Sequence, residues 1–312
     1  MIKPNGIEMH KKNRIMKDRL ILLLMAIPFI LLIFIFSYIP LFGWVYAFFD
    51  YKPGIPLART PFVGLKFFNI AFFGISGFLN SLLNSFAISL LGLLCSPLPV
   101  VLAILLNEVK NTKFKKFVQT TTTLPYFISW VIVFSLFFNI FSINGALNNV
   151  LISLNVISTD NPTNILGNEG ATWFFQTALS LWKSTGWNAI IYVASISGID
   201  NELYDAANVD GAGRWEIIKN VTLPGIIPTF IVLLLLSISN IVNNGLEQYL
   251  VFYNPLVADR IEVLDYFVYR IGILGNDYAL ATAVGIAKTF LSLTLLLIVN
   301  VISKKTRGEY IV

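Results

Sequence analysis

Charged side chains are scarce in this sequence. Only 12% of its 312 residues are Asp, Glu, Lys or Arg, whereas 56% are hydrophobic. Soluble globular chains carry about a quarter charged residues, so the composition excludes an ordinary soluble domain. Backbone polar groups inside a bilayer must be satisfied within the protein, and helices do this alone. The sequence therefore predicts an all-α integral membrane protein.

Cysteine and histidine are nearly absent. Cys95 is the single cysteine, which excludes a disulfide within the chain, and His10 is the single histidine. One histidine in a polar N-terminal tail leaves no His-based triad or metal site in the membrane. The sequence also lacks Gly-x-x-x-x-Gly-Lys-[Ser/Thr], the loop that cradles ATP phosphates. We therefore expect no catalytic residue, no metal site and no enzyme activity in this chain.

Long apolar runs divide the chain into about six predicted transmembrane helices. They lie between a basic tail at 1–19 and a second basic tail at 304–312. A helix needs about 20 mostly apolar residues to cross the hydrocarbon core. We therefore expect one transmembrane domain at 20–303. The predicted spans cover 20–49, 78–106, 124–141, 173–197, 227–249 and 281–302.

The positive charges are distributed unevenly among the segments between these spans. If both termini are cytoplasmic, fifteen of the 22 Lys and Arg residues lie in cytoplasmic segments and five in outer loops. The polar loop at 142–172 has neither Lys nor Arg. Because Lys and Arg concentrate on the cytoplasmic side of membrane proteins, the bias predicts this orientation. It also accounts for the net charge of +5 without a nucleic-acid partner.

A polar island at 200–228 separates predicted spans four and five. Asp200 is suited to cap a short helix, and Gly211 and Gly213 can end it in left-handed conformations. Pro224 is expected to stop a second short helix. A simple helix connection needs about two to eight residues, and this segment is much longer. We interpret it as a docking segment on the cytoplasmic side; an ordinary amphipathic loop helix is the alternative.

The island resembles the EAA loop of permease subunits in binding-protein-dependent ABC importers. That motif has Glu-Ala-Ala, three residues and Gly, followed by an apolar-Pro pair and a second Pro; here Asp replaces the Glu. In that family the segment forms a coupling helix that sits in a groove of a cytoplasmic ATPase. The residues that the resemblance implies at this contact are Tyr204, Asp205, Ala206, Ala207, Asp210, Gly211, Ala212, Leu223 and Pro224.

A second resemblance lies near the N-terminus. Phe-Ser-Tyr-Ile-Pro-Leu-Phe-Gly at 36–43, with Val-Gly-Leu at 63–65, is similar to the opening of permeases from oligosaccharide and polysaccharide importers of low-GC bacteria. The resemblance implies a type I importer permease fold in the bacterial plasma membrane. It also implies a second, homologous permease subunit, an extracellular solute-binding protein and a dimer of ATPase subunits. ATP and Mg would bind to the ATPase subunits, so this chain needs no cofactor.

The function that follows is ATP-driven import of an oligosaccharide by alternating access, with this chain forming half of the path. A permease for another solute, such as a peptide or an anion, remains an alternative because the EAA loop is common to all of them. A non-transporting scaffold is a second alternative, but it predicts an apolar fifth span. The polar run at 240–248 contradicts that expectation, since polar groups in a bilayer usually face a cavity or a partner helix.

Polar and aromatic residues in predicted spans four and five are the candidates for the substrate path. Hydrogen bonds between helices are the alternative role, as is a fifth span that ends near Asn243. Lys183 could face a cavity or snorkel to the surface, and snorkelling is expected for Lys288. The segment at 259–277, with its amphipathic stretch at 261–273, is expected to be a solvated amphipathic helix on the membrane surface; a contact with the solute-binding protein is the alternative. The substrate-path candidates are Lys183, Trp187, Asn188, Asn240, Asn244, Glu247 and Tyr249.

Overall fold

The computed structural model describes residues 6–74 and 76–307, with side chains described for 19–74 and 77–304. The described residues form helices and loops with one isolated β-bridge, between Phe49 and Phe62, which confirms the all-α class. Residues 1–5 and 308–312 of the two basic tails, and the side chain of His10, lie outside the described part.

The helices are numbered in chain order. Several are short because prolines, glycines or tertiary contacts interrupt a longer apolar run. The α-helices are α1 (Gly6–Ile33), α2 (Lys66–Asn69), α3 (Ser76–Leu94), α4 (Pro97–Glu108), α5 (Thr112–Thr123), α6 (Trp130–Phe141), α7 (Ala146–Ser153), α8 (Glu169–Ser197), α9 (Asn201–Val209), α10 (Arg214–Ile217), α11 (Leu223–Ser239), α12 (Glu247–Phe252), α13 (Ala258–Ile261), α14 (Leu264–Tyr269) and α15 (Tyr278–Arg307). The 3-10 and π-helical segments are Phe34–Tyr38, Ile39–Phe48, Leu57–Arg59, Ile70–Gly74, Leu124–Phe127, Ile218–Thr222, Pro255–Val257 and Arg270–Leu274.

Five helical stretches among the described residues are long and apolar enough to cross a membrane. The predicted fourth span, α8, is not one of them, although its 29 residues would extend about 43 Å. It packs against α3, α4, α5 and α11, so its polar residues lie largely among other helices. The five stretches are Arg19–Phe48, Gly77–Glu108, Trp130–Ser153, Arg214–Ser239 and Tyr278–Lys304.

The first span touches the rest of the chain mainly near its end. Its most apolar stretch has no buried residue, and Ile39–Phe48 is the part that packs on α15. The second span breaks between α3 and α4, immediately before Pro97, as the prolines predict. Both halves pack against α8, and Trp173 at the start of α8 donates a hydrogen bond to Asn84 of α3. The second span and α8 therefore lie side by side.

The third and fifth spans differ from their predicted bounds. In place of a continuous helix at 124–141, α5 and α6 are joined by the 3-10 turn Leu124–Phe127 and a short extended link. The fifth span was predicted to reach Tyr249, but α11 ends at Ser239 and the chain turns before α12 begins. The ending near Asn243, considered from the sequence, is closer to the structure.

The solvated amphipathic helix predicted at 261–273 is also wrong. This stretch contains the end of α13, the whole of α14 and most of a π-helical segment, and its apolar residues are buried or half-buried except Ile273. Val263 and Phe267 are fully buried, the latter in a core cluster with residues of α3 and α15. Gly272 permits this packing, because a Cβ there would lie 2.8 Å from that of Ala281. The sequence pattern was amphipathic, but the apolar face packs on protein.

A close approach between α8 and α5 fixes the centre of the bundle. A Cβ at Gly186 would lie 2.0 Å from the carbonyl oxygen of Thr122, so only glycine fits there. Changing Gly186 to Ala should therefore separate the helices and reduce the free energy of unfolding by about 1–3 kcal/mol. Thermal unfolding of the purified chain in detergent measures this effect.

The matched control is Gly285→Ala in α15, where an added Cβ would meet nothing within 4 Å. Alanine has the higher helix propensity, so this control should leave the melting temperature unchanged or raise it slightly. Equal losses in the two variants would contradict the close approach.

Candidate functional site

A cleft of about 430 Å³ opens between α3, α4, α8 and α11. Apolar side chains, including Leu93, Phe230 and Leu233, form part of its wall, and Cys95 also lines it. None of the described residues that line the cleft is charged. Its polar lining consists of hydroxyl and amide side chains: Ser89, Ser96, Ser180, Ser184, Thr185, Asn188, Tyr192, Ser237 and Asn240.

Several of these hydroxyls have already used their hydrogen. Ser184 Oγ donates to Ser180 O at 2.7 Å, and Thr185 Oγ1 donates to Leu181 O at 2.6 Å. Ser237 Oγ likewise donates to a carbonyl one turn earlier, at 2.8 Å. Each oxygen keeps an acceptor lone pair. These three oxygens therefore offer acceptors, which suits a ligand rich in hydroxyl donors.

Two of the seven predicted substrate-path residues line this cleft. Asn188 lies on α8, and Asn240 is the residue at which α11 ends. The amide of Asn240 is held in place, because its Nδ2 donates to Leu236 O at 3.1 Å and its Oδ1 accepts from Asn243 Nδ2 at 3.2 Å. The helix end therefore presents a fixed amide to the cleft.

Lys183 neither lines the cleft nor snorkels. Its Nζ donates to the carbonyl oxygens of Pro125, Tyr126 and Ile128 at 3.1, 2.7 and 2.5 Å. These carbonyls belong to the break between α5 and α6, and that of Pro125 also accepts the backbone N–H of Ile128 at 3.2 Å. The ammonium group adds a charged donor to all three, and it lies 5.4 Å from the ring centroid of Trp130. Lys183 therefore ties the link that precedes the third span to α8.

The other four candidates also lie outside the cleft lining. Trp187 stacks on Tyr126 with ring centroids 4.5 Å apart. Tyr249 is 3% exposed and belongs to a core cluster, and Glu247 is exposed at the start of α12. Asn244 donates to a cleft residue, Ser89 Oγ, at 2.8 Å. The prediction named amide, carboxylate, ammonium and aromatic groups, whereas much of the polar lining consists of small hydroxyls.

The hydroxyl lining was missed, although the sequence has a signal for it. Ser180, Ser184 and Asn188 recur every four residues, which places them along one stripe of a helix. The partner of Lys288 was missed as well. Its Nζ forms an ion pair with Asp265, so the predicted snorkelling is wrong.

The predicted docking segment begins as expected. Asp200 caps α9, and its Oδ1 accepts from Glu202 N at 3.0 Å. Gly211 follows the helix with φ +75°, the left-handed conformation predicted. Gly213 is different: its φ is −72°, and its N–H donates to Glu216 Oε2 at 2.6 Å at the start of α10.

Pro224 does not stop the second helix. α10 continues through the π-helical turn Ile218–Thr222 into α11, so Arg214–Ser239 is one helix with Pro224 and Pro228 inside it. Proline has no N–H and normally clashes with the preceding turn. Here Pro224 follows directly on the wider π turn, in the first turn of α11, where its missing hydrogen bond is tolerated.

The docking segment is anchored on one side and exposed on the other. Tyr204 Oη lies 3.2 Å from Thr222 Oγ1, which ties α9 to the π turn. On the other side, the side chains of Leu203, Val209 and Trp215 are 54%, 88% and 74% exposed. Of the predicted contact residues, Tyr204, Ala207 and Ala212 are half-buried, and the others are exposed as well. The segment thus leaves an apolar surface that no other described residue of the chain covers.

Comparison with known proteins gives consistent matches. A family described as "Binding-protein-dependent transport system inner membrane component" matches residues 97–308. Protein LplB of Bacillus subtilis is 37% identical over 92% of this chain and 90% of its own length. The polygalacturonan/rhamnogalacturonan transport system permease protein YteP of the same organism is 38% identical, over 92% and 89%.

Solved structures also match along nearly the whole chain. A chain of a bacterial ABC transporter involved in the import of the acidic polysaccharide alginate is 32% identical, with a TM-score of 0.84 over 95% of this chain and 99% of that one. A chain of the bacterial alginate ABC transporter in complex with an alginate pentasaccharide-bound periplasmic protein has a TM-score of 0.83, at 32% identity, over 95% and 98%.

Changing Lys183 to Met should destabilise the bundle, because three carbonyls at the break lose a charged donor. Hydrogen bonds to charged groups contribute roughly 1.5–3 kcal/mol each, so we expect the melting temperature in detergent to fall by at least about 4 °C. Lys66→Met is the control, since Lys66 is 52% exposed and lies 3.9 Å from Asp50. If the two variants have the same melting temperature, Lys183 does not stabilise the break.

Proposed function

The chain belongs to the binding-protein-dependent transport system inner membrane components, and from this premise we propose that its cleft forms part of the path for an oligosaccharide. It is a multi-pass membrane protein and a permease subunit of the sugar ABC importer type. The observation that carries the proposal is the cleft lining, whose hydroxyl oxygens and the fixed amide of Asn240 complement a ligand that brings its own hydroxyl donors.

Rival functions have less support. A free anion or a charged peptide would need a countercharge, which is lacking among the described residues of the lining. A scaffold would not need a polar cleft of this size. The family is a transport component, so we assign no catalytic residue to this chain.

The proposed partners follow the same premise. A second permease subunit would complete the path, and an extracellular solute-binding protein would deliver the sugar, as the alginate transporter's complex with its periplasmic protein suggests by analogy. A dimer of cytoplasmic ATPase subunits would bind ATP and Mg and drive alternating access. We place both termini in the cytoplasm of a bacterial cell, because this orientation agrees with the positive-charge bias.

The ATPase would dock on the exposed surface around α9. Leu203, Val209 and Trp215 supply the apolar contact, and the small side chains at 206 and 207 allow a close approach. The Tyr204–Thr222 contact connects this surface to the helix that continues into α11. A displacement of α9 would therefore be transmitted to the cleft wall through the single continuous helix Arg214–Ser239.

Cys95 provides a direct test of the cleft, because it is the only cysteine and lies in the lining. In membrane vesicles that contain the assembled transporter, a small maleimide should alkylate it. A transported oligosaccharide at about ten times its Kd should slow the reaction roughly tenfold, since about one site in eleven stays free. Mass spectrometry of the Cys95 peptide gives the rate.

The control for background labelling is Cys95→Ser. A non-transported sugar should give no protection. If a sugar that is taken up leaves the alkylation rate unchanged at saturation, the cleft is not its path.

Gly211 tests the docking proposal. A Cβ there would meet nothing within 4 Å, so substitution acts only through the φ of +75°. Changing Gly211 to Val should abolish uptake with membrane insertion intact, because a β-branched residue is strongly disfavoured in this conformation. Gly211→Asn is the matched control and should retain most uptake, since Asn tolerates the left-handed region.

A pull-down of the tagged chain in mild detergent separates docking from assembly. The wild type and the Asn variant should recover a second permease and an ATPase, whereas the Val variant should recover the permease with little ATPase. Recovery of the ATPase at wild-type level with the Val variant would place the docking surface elsewhere.

A further inference from the structure

An ion pair lies inside the bundle, away from the cleft lining. Lys288 of α15 pairs with Asp265 of α14, and the two side chains are only 14% and 21% exposed. Lys288 is ten residues into its helix, about 15 Å from the start. Charged groups at such depth are rare in membrane proteins and are usually paired. Mutual neutralisation explains why each needs the other, but not why the pair is present.

The second oxygen of Asp265 shows a further role. Its Oδ2 accepts a hydrogen bond from the backbone N–H of Gly245 at 3.0 Å. Gly245 has φ +81° and lies in the turn between α11 and α12. In this turn, residues 240–246, the N–H groups of Asn240, Ile241 and Asn243 bond to carbonyls three or four residues earlier, whereas that of Gly245 bonds to Asp265. Asp265 therefore supplies an acceptor to the turn that follows the fifth span, as Lys183 supplies donors to the link that precedes the third.

The same turn is attached to neighbouring helices at two further points. Asn243 Nδ2 donates to Ser292 Oγ of α15 at 3.2 Å, one turn along from Lys288. Asn244 Nδ2 donates to Ser89 Oγ of α3 at 2.8 Å. At its start the turn contains Asn240, whose Oδ1 accepts from Asn243. Hydrogen bonds at Gly245 and Asn243, joined by the backbone of the turn, thus link the ion pair to an amide that lines the cleft.

We propose that Asp265 is a positioning residue: through Gly245 it fixes the 240–246 turn and thereby the place of Asn240 in the cleft wall, while Lys288 fixes Asp265. The consequence for substrate rests on the proposed function, because it concerns the affinity of that cleft. The position of the turn does not depend on what the cleft binds. The single variant Asp265→Asn would leave Lys288 without its countercharge and confuse the two roles.

Two double variants separate charge neutralisation from positioning. Asp265→Asn with Lys288→Met removes both charges but leaves an oxygen that can accept from Gly245 N. Asp265→Leu with Lys288→Met also removes both charges, with a side chain of similar shape that cannot accept. The two differ only at position 265. In the first variant the amide nitrogen introduced at position 265 has no acceptor assigned to it. Any destabilisation that it causes would reduce the expected difference between the two variants, not produce it.

The first readout is the alkylation rate of Cys95 by the small maleimide, in vesicles with the assembled transporter and without sugar. We expect the Asp265→Asn double variant to match the wild type and the Asp265→Leu double variant to react at least about threefold faster, because the released turn opens the cleft wall. The second readout is uptake. The Leu double variant should raise KM about fivefold with Vmax per assembled complex nearly unchanged, the size expected for one lost hydrogen bond.

Equal alkylation rates, or equal KM values, in the two double variants would overturn the positioning role and leave only charge neutralisation. A difference at Cys95 supports it even if no oligosaccharide is transported, in which case the proposed function fails separately. An ion pair that only neutralises charge would affect both double variants equally. Wild-type behaviour in the Asp265→Asn double variant alone therefore distinguishes positioning from neutralisation.

Discussion

The structure depends on one constraint: a backbone polar group inside a bilayer needs a partner within the protein. Continuous helices meet it without help, but the helical structure is interrupted next to two spans, between α5 and α6 before the third and between α11 and α12 after the fifth. A charged side chain from another helix bonds to the backbone at each of these places. Lys183 donates to three carbonyls of the first, and Asp265 accepts an N–H of the second. A charged side chain and an unpaired backbone group are each unfavourable in lipid. Here two such charges bond to backbone groups at the two interruptions.

The interruptions also shape the cleft. α8 carries Lys183 on one face and the Ser180–Ser184–Asn188 stripe on a neighbouring one, so the helix that holds the third span also lines the cavity. α11 ends at Asn240 instead of continuing, and its end contributes an amide to the wall. Because the hydroxyls of Ser184, Thr185 and Ser237 bond back to their own helices, these three groups stay satisfied when the cleft is empty. An uncharged wall with such groups can release a ligand as well as bind it.

Sequence reasoning predicted the features that depend on local chemistry. Apolar runs gave the class and most of the spans, Asp200 was predicted as a cap, and Gly211 as a left-handed residue. Two errors were local, at Gly213 and Pro224, and the others involve contacts between distant parts of the chain. Lys183 reaches carbonyls 55–58 residues away, and Asp265 reaches Lys288 23 residues away. No local pattern specifies such partners, although a lone Lys in an apolar run indicates that one is needed.

The π-helical turn Ile218–Thr222 has a consequence for how related chains can differ. A π turn holds one residue more than an α turn, and one residue corresponds to about 100° of rotation around a helix. The turn lies between α10 and α11, so it sets the rotational phase between the surface at α9 and the face of α11 that looks into the cleft. A relative that lacked this single residue would keep both helices but turn a different stripe of α11 inward. A one-residue gap at this place in an alignment would therefore mark a change of cavity lining rather than a neutral variation in length.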